Sequence, residues 1–124
     1  MRDPRTRQLA KLIVNHSCEL KPGEAVLIES FDLADGLVLD LVEETQAVGA
    51  IPVVFLRDNA VIRTQLMGAT EAQLKLQAEI ELQQMKQVQA YVAIRASSNV
   101  SELGDVPTDR MNLYQKIVAK PVHS

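Results

Sequence analysis

Apolar and polar positions recur along the chain in two rhythms, one helical and one that of buried strands. Asp3-Pro4 joins an N-cap residue to a proline suited to the first helical position. Leu9, Leu12, Ile13, His16 and Leu20 follow at helical spacing and predict the apolar face of a first helix. Lys21-Pro22-Gly23-Glu24 is a turn, and the wholly apolar Ala25-Val26-Leu27-Ile28 predicts a strand covered on both faces. Leu37, Val38, Leu41, Val42, Thr45 and Val48 share one arc of a second helix. Asp40, Glu43, Glu44 and Gln46 take the opposite, solvated arc, and Gly49 ends the helix. Ile51-Pro52-Val53-Val54-Phe55-Leu56 predicts a second buried strand, with its proline tolerated at the start.

Asp58 or Asn59 caps a short helix ending at Met67-Gly68, and Thr70-Glu71-Ala72-Gln73 is a capping box opening a longer helix to about Val88. On that helix Leu74, Ala78, Leu82 and Met85 form one stripe, expected to face the sheet. Leu76 and Ile80 fall on another side, ringed by Gln73, Gln77, Gln83, Gln84 and Gln87, and form a candidate partner face. Ala90-Tyr91-Val92-Ala93-Ile94 is a third strand, and Arg95 to Val106 a polar loop. A last helix is expected from about Thr108 to Ala119, with Met111, Tyr114, Ile117 and Val118 inward, ended by Lys120-Pro121.

Strands separated by helices give a parallel sheet with right-handed crossovers. The expected fold is α/β: one three-layer α-β-α domain over residues 1–124, with a small three-stranded parallel sheet and helices on both faces. Such a small sheet needs its edges covered. The pattern stops just after a proline that would lead into another element, so it reads as the N-terminal piece of a longer protein.

Composition narrows the function. Of 124 residues 47% are apolar and 23% charged, which suits a globular core and excludes disorder by composition. No apolar run approaches the roughly 18 residues of a membrane span, and the N-terminus leads into no signal-peptide core. A net charge of −3 argues against nucleic-acid or membrane partners. The charge is uneven, with bases in the first eleven residues and an acidic block from Glu19 to Val48 that reads mostly as the solvated side of a helix. The aromatic residues are Phe31, Phe55, Tyr91 and Tyr114, too few for a base- or sugar-stacking platform. The single cysteine, Cys18, permits no internal disulfide, suits a reducing cytoplasm, and is expected to fill space on the first helix.

Parallel strands end on one shared edge, where ligands of such sheets bind. The edge receives Glu29-Ser30-Phe31-Asp32, Arg57-Asp58-Asn59 and Arg95-Ala96-Ser97-Ser98-Asn99. Glu29, Arg57, Arg95, Ser97 and Asn99 therefore form a candidate polar crevice for a charged small molecule, whereas Asp32, Asp35, Asp58 and Asn59 also suit helix caps and turns. The carboxylates of Glu29, Asp32 and Asp35 lack a histidine at metal-ligand spacing. His16 reads as a boundary residue on the first helix, and His123 stands far from it. Neither His-Glu-x-x-His, Gly-x-Ser-x-Gly nor a glycine-rich phosphate loop occurs. No catalytic, cofactor-binding or metal-binding residue is assigned.

Several segments resemble one family. Leu20-Lys21-Pro22-Gly23-Glu24, Gly49-Ala50-Ile51-Pro52-Val53-Val54, Ala90-Tyr91-Val92-Ala93-Ile94-Arg95 and Lys120-Pro121-Val122-His123 look like the N-terminal domain of the aminopeptidase T family of thermophilic metalloaminopeptidases. The resemblance covers nearly the whole chain. It implies a peptide hydrolase using two divalent metal ions, zinc or cobalt, held by carboxylates and histidines of a C-terminal domain. No such ligand carries over to a position of this sequence. The expectation is therefore a non-catalytic N-terminal domain of a cytoplasmic aminopeptidase. It would shape the cavity for a peptide substrate, or contact the catalytic domain of the same chain or a second subunit. The alternative is a free-standing α/β small-molecule-binding or assembly module without enzymatic activity.

Overall fold

The computed structural model describes residues 3–32, 36–95 and 116–121. Helix α1 (Pro4–Leu12) begins as the sequence indicates: the Asp3 carboxylate accepts from the Arg5 N–H at 2.8 Å, and proline occupies the first turn. The helix then widens into a π-helical turn, Ile13–Ser17, closed by the Cys18 N–H donating to the Ile13 carbonyl at 2.8 Å. The inward residues are Ala10, Ile13 and Val14, while Leu12 and His16 are exposed. This corrects the predicted face at Leu12 and His16, whereas Leu9, Ile13 and Leu20 of that face do meet the core. The inward arc is centred nearer Ala10, and the inserted residue of the π turn breaks the 100° register on which His16 was placed inward.

Strand β1 (Ala25–Phe31), helix α2 (Gly36–Ala47) and strand β2 (Ile51–Arg57) follow. The turn before β1 and the end of α2 meet where the Gly23 N–H donates to the Gly49 carbonyl at 2.9 Å. Gly49 has φ +80°, a left-handed conformation that ends the helix and that side chains resist. Helix α3 (Asn59–Met67) is capped by Asp58, whose carboxylate accepts from Ala60 and Val61. Helix α4 (Glu71–Lys86) is capped by Thr70, which accepts from the Gln73 N–H at 3.1 Å. Strand β3 (Ala90–Arg95) and strand β4 (Lys116–Pro121) complete the sheet.

The strand order is β2-β1-β3-β4. The three strands expected to be parallel are parallel: β1 lies between β2 and β3, with Ile28 opposite Val54 and Val92. β4 pairs antiparallel with β3. Residues 116–119 were expected to end a helix and instead form this strand; residues 108–115 lie outside the described ones. Met111, Tyr114, Ile117 and Val118 imitate helical spacing, but the adjacent β-branched Ile117 and Val118 favour a strand, and the open edge of β3 supplies a partner. β2, expected to be buried, is an edge strand of the described sheet, with Ile51 and Leu56 exposed. An apolar run marks a strand but not its rank in the sheet.

α1 and α2 cover one sheet face. Val26, Ile28, Ala90, Val92 and Ile94 meet Ala10, Ile13, Val14, Leu37, Val38 and Leu41 there in the apolar core. Asp40 was expected in solvent but is buried among them. Arg7 of α1 reaches it at 3.0 Å, binds Glu44 at 2.9 Å and also pairs with Glu43. This fastens α1 to α2 and explains why a helix read as acidic on its outer arc tolerates a carboxylate inside.

α3 and α4 lie over the opposite face, so helices occupy both sides of the sheet. They stand off it, and neither has a buried residue. The stripe expected to pack on the sheet does not, since Leu74 is 46% and Leu82 55% exposed. The half-buried positions of α4 are instead Gln73, Gln77, Gln84 and Met85. Apolar residues fall on both flanks of this glutamine row, so no single arc can settle onto the sheet, and cavities open beneath the helix. Among the described residues no helix is long and apolar enough to cross a membrane.

Candidate functional site

The sheet face beneath α3 and α4 carries its chemistry in rows set by the strand register. Side chains alternate between faces, so Leu27, Glu29 and Phe31 of β1 point away from α1 and α2. Phe31 lies opposite Arg57 on one side and Arg95 on the other. One row at the carboxyl edge therefore reads Arg57–Phe31–Arg95. The next reads Phe55–Glu29–Ala93, and the third Val53–Leu27–Tyr91.

Glu29 is the hub. Its Oε2 accepts from Arg57 Nε at 2.8 Å, and the two side chains are 16% and 33% exposed. Partial burial makes this pair stronger than a surface bridge, because water screens it less. Arg57 also lies over the Phe55 ring, 5.0 Å from its centroid. Arg95 stacks on Phe31 at 3.9 Å, a close cation–π contact. Tyr91 completes the group. Burial, reinforced by its hydrogen bond with Glu29, pushes its phenol up to about 12, so the hydroxyl stays protonated and donates.

Three of the sequence-derived crevice residues, Glu29, Arg57 and Arg95, thus share one edge and one face. Ser97 and Asn99 lie outside the described residues, as do Asp35 and His123. Asp32 has φ +65°, and its carboxylate accepts from the Asn59 N–H and side-chain amide, both at 2.8 Å. Asp32 and Asp58 therefore serve the turn and the helix cap, as their residue types suggest. Tyr91 and the two phenylalanines were missed as site residues. Period-two counting would have found Tyr91, which stands four residues before Arg95 and hence on the same face.

These groups line a cavity of about 690 Å³ between the sheet and α4, with Gln77, Glu81 and Met85 on its helix side. An adjoining cavity of about 740 Å³ is lined by Leu27, Val53 and Phe55 from the sheet and by Leu76, Ile80 and Leu82 from α4. Leu76 and Ile80 are more than half exposed and border this space. Elsewhere Cys18 is buried, and burial pushes its thiol up to about 11, which leaves it protonated and unreactive near neutrality.

Comparison with curated proteins gives no match. A family model does match, from residue 2 to residue 123, and it agrees with the resemblance carried by the turn before β1, by β2 and by β3. The chain belongs to the family of thermophilic metalloproteases (M29).

Proposed function

We propose that this chain is the part of a metal-dependent aminopeptidase that shapes the approach of the peptide. In this reading it meets the catalytic domain of the same protein or a second subunit, and the divalent ions, zinc or cobalt, are held by residues other than those described. The observation that carries the reading is the Glu29–Arg57 pair with Tyr91 and Arg95 on a cavity of about 690 Å³, in a chain of a metalloprotease family. A cavity of that size suits a short peptide or a similar molecule.

The described residues do not fit a two-metal centre, which requires several converging carboxylates and imidazoles. No group of three or more histidine, cysteine, aspartate or glutamate side chains that could hold a metal occurs among them. His16 is exposed on the π turn. Asp32 and Asp58 are engaged by backbone N–H groups, and Asp40, Glu43 and Glu44 surround Arg7. What this part of the protein supplies is binding and orientation. The single, buried thiol of Cys18 suits a reducing cytoplasm.

The reading is tested by metal content. After dialysis against metal-free buffer, elemental analysis of the 124-residue chain should find zinc and cobalt far below one equivalent. Retention of either near one equivalent would contradict it.

A further inference from the structure

We propose that the cleft between the sheet and α4 binds a short apolar peptide by its free C-terminal carboxylate. The proposal rests on the reading that the chain serves a peptide hydrolase, and it names the ligand and its orientation. The two cavities share Leu27, Leu82 and Gln84, so they form one continuous cleft along the sheet face. Its two ends differ. One is apolar, with Val53 and Phe55 below and Leu76, Ile80 and Val88 along the helix side. The other ends at the carboxyl edge in Arg57 and Arg95.

The arginines are not equivalent. Arg57 is neutralised by Glu29 at 2.8 Å. Among the described residues Arg95 pairs with no carboxylate; its contact is the Phe31 ring, 3.9 Å from the guanidinium carbon. Stacking uses the flat face of a guanidinium and leaves its in-plane N–H groups free for a bidentate carboxylate. Glu29 and Glu81 offset the two arginines around the polar cavity and Glu79 borders the apolar one, so the cleft holds no excess positive charge for a dianion, and Arg95 is left to meet a single carboxylate.

The roof separates a peptide from other amphiphilic acids. Gln77 and Gln84 line the polar cavity, and Gln83, Gln84 and Gln87 the apolar one. Each glutamine amide both donates and accepts, which matches the alternating N–H and C=O groups of a peptide backbone. An alkyl chain has no groups to satisfy them.

Calorimetric titration of the full chain with N-acetyl-trileucine and with its C-terminal amide tests the site. The acetyl group protects the peptide from any aminopeptidase, and binding is read without metal or turnover, so this result stands apart from the test of hydrolysis. The acid should bind at least about tenfold more tightly than the amide. Arg95→Gln should abolish that preference with only a small fall in melting temperature, because Arg95 is exposed and loses little beyond its stacking on Phe31. Lys75→Gln, outside the cleft, should leave it intact. Equal binding of acid and amide, no binding at millimolar peptide, or a preference that survives Arg95→Gln would overturn the proposal. So would dodecanoate binding more tightly than the peptide acid in an Arg95-dependent way, which would make the site one for fatty acids.

Discussion

Replacing Ile28 by alanine should lower the free energy of unfolding by about 3 to 4 kcal/mol, the range for removing a branched aliphatic chain from a core that cannot collapse around the void. Ile28 has 0% exposure and sits on the central strand, flanked by Val54 and Val92 and covered by α1 and α2. The matched control is Leu56→Ala. Leu56 points to the same sheet face by parity but lies near the end of the edge strand, 61% exposed, and should lose less than about 1 kcal/mol. Urea titration of both variants reads the difference directly, with unchanged denaturant slopes marking intact two-state folding. Similar losses at the two positions would refute the placement of the core.

Arg57→Leu should cost about 2 kcal/mol, because it leaves the partly buried Glu29 carboxylate with only the Tyr91 hydroxyl as a partner. The cost is below that of breaking a fully buried pair, since a third of the Arg57 side chain meets water. Adding Glu29→Leu should restore part of the loss, as two apolar chains at adjoining register positions, Glu29 opposite Phe55 and Phe31 opposite Arg57, leave no orphaned charge. A double variant less stable than Arg57→Leu alone would show that the Tyr91 hydrogen bond to Glu29 outweighs the charge left without its arginine. Thermal unfolding of the single and double variants measures the coupling.

Much of the fold is legible because the local signals agree. Three apolar runs, two of them rich in valine and isoleucine, mark β1, β2 and β3, and Asp3-Pro4, Asp58 and Thr70 mark helix starts through side chains that accept from the first free N–H groups. Once the strands are known to be parallel, Glu29, Arg57 and Arg95 must share an edge, so the heart of the site follows from topology alone. What stays hidden depends on contacts remote in sequence. Asp40 reads as a solvent residue until Arg7, from another helix, arrives to pair with it. The edge rank of β2 depends on which strand β3 chooses to join, and nothing in Ile51–Arg57 records that choice. α4 defeats periodicity for a different reason: its leucines and isoleucine flank the glutamine row on both sides, so the pattern names no single inward face. β4 depends on the open edge of β3, which becomes available only when the sheet is assembled.

The proposed division of labour between this chain and a metal centre held elsewhere is open to one direct assay. The 124-residue chain is incubated with leucine p-nitroanilide and added Zn²⁺ or Co²⁺, and release of p-nitroaniline is followed. The expected result is no release above buffer with either ion, since the described residues gather no ligand set for a metal. Metal-dependent turnover that follows the protein through further purification would contradict it and place the hydrolytic centre within these residues.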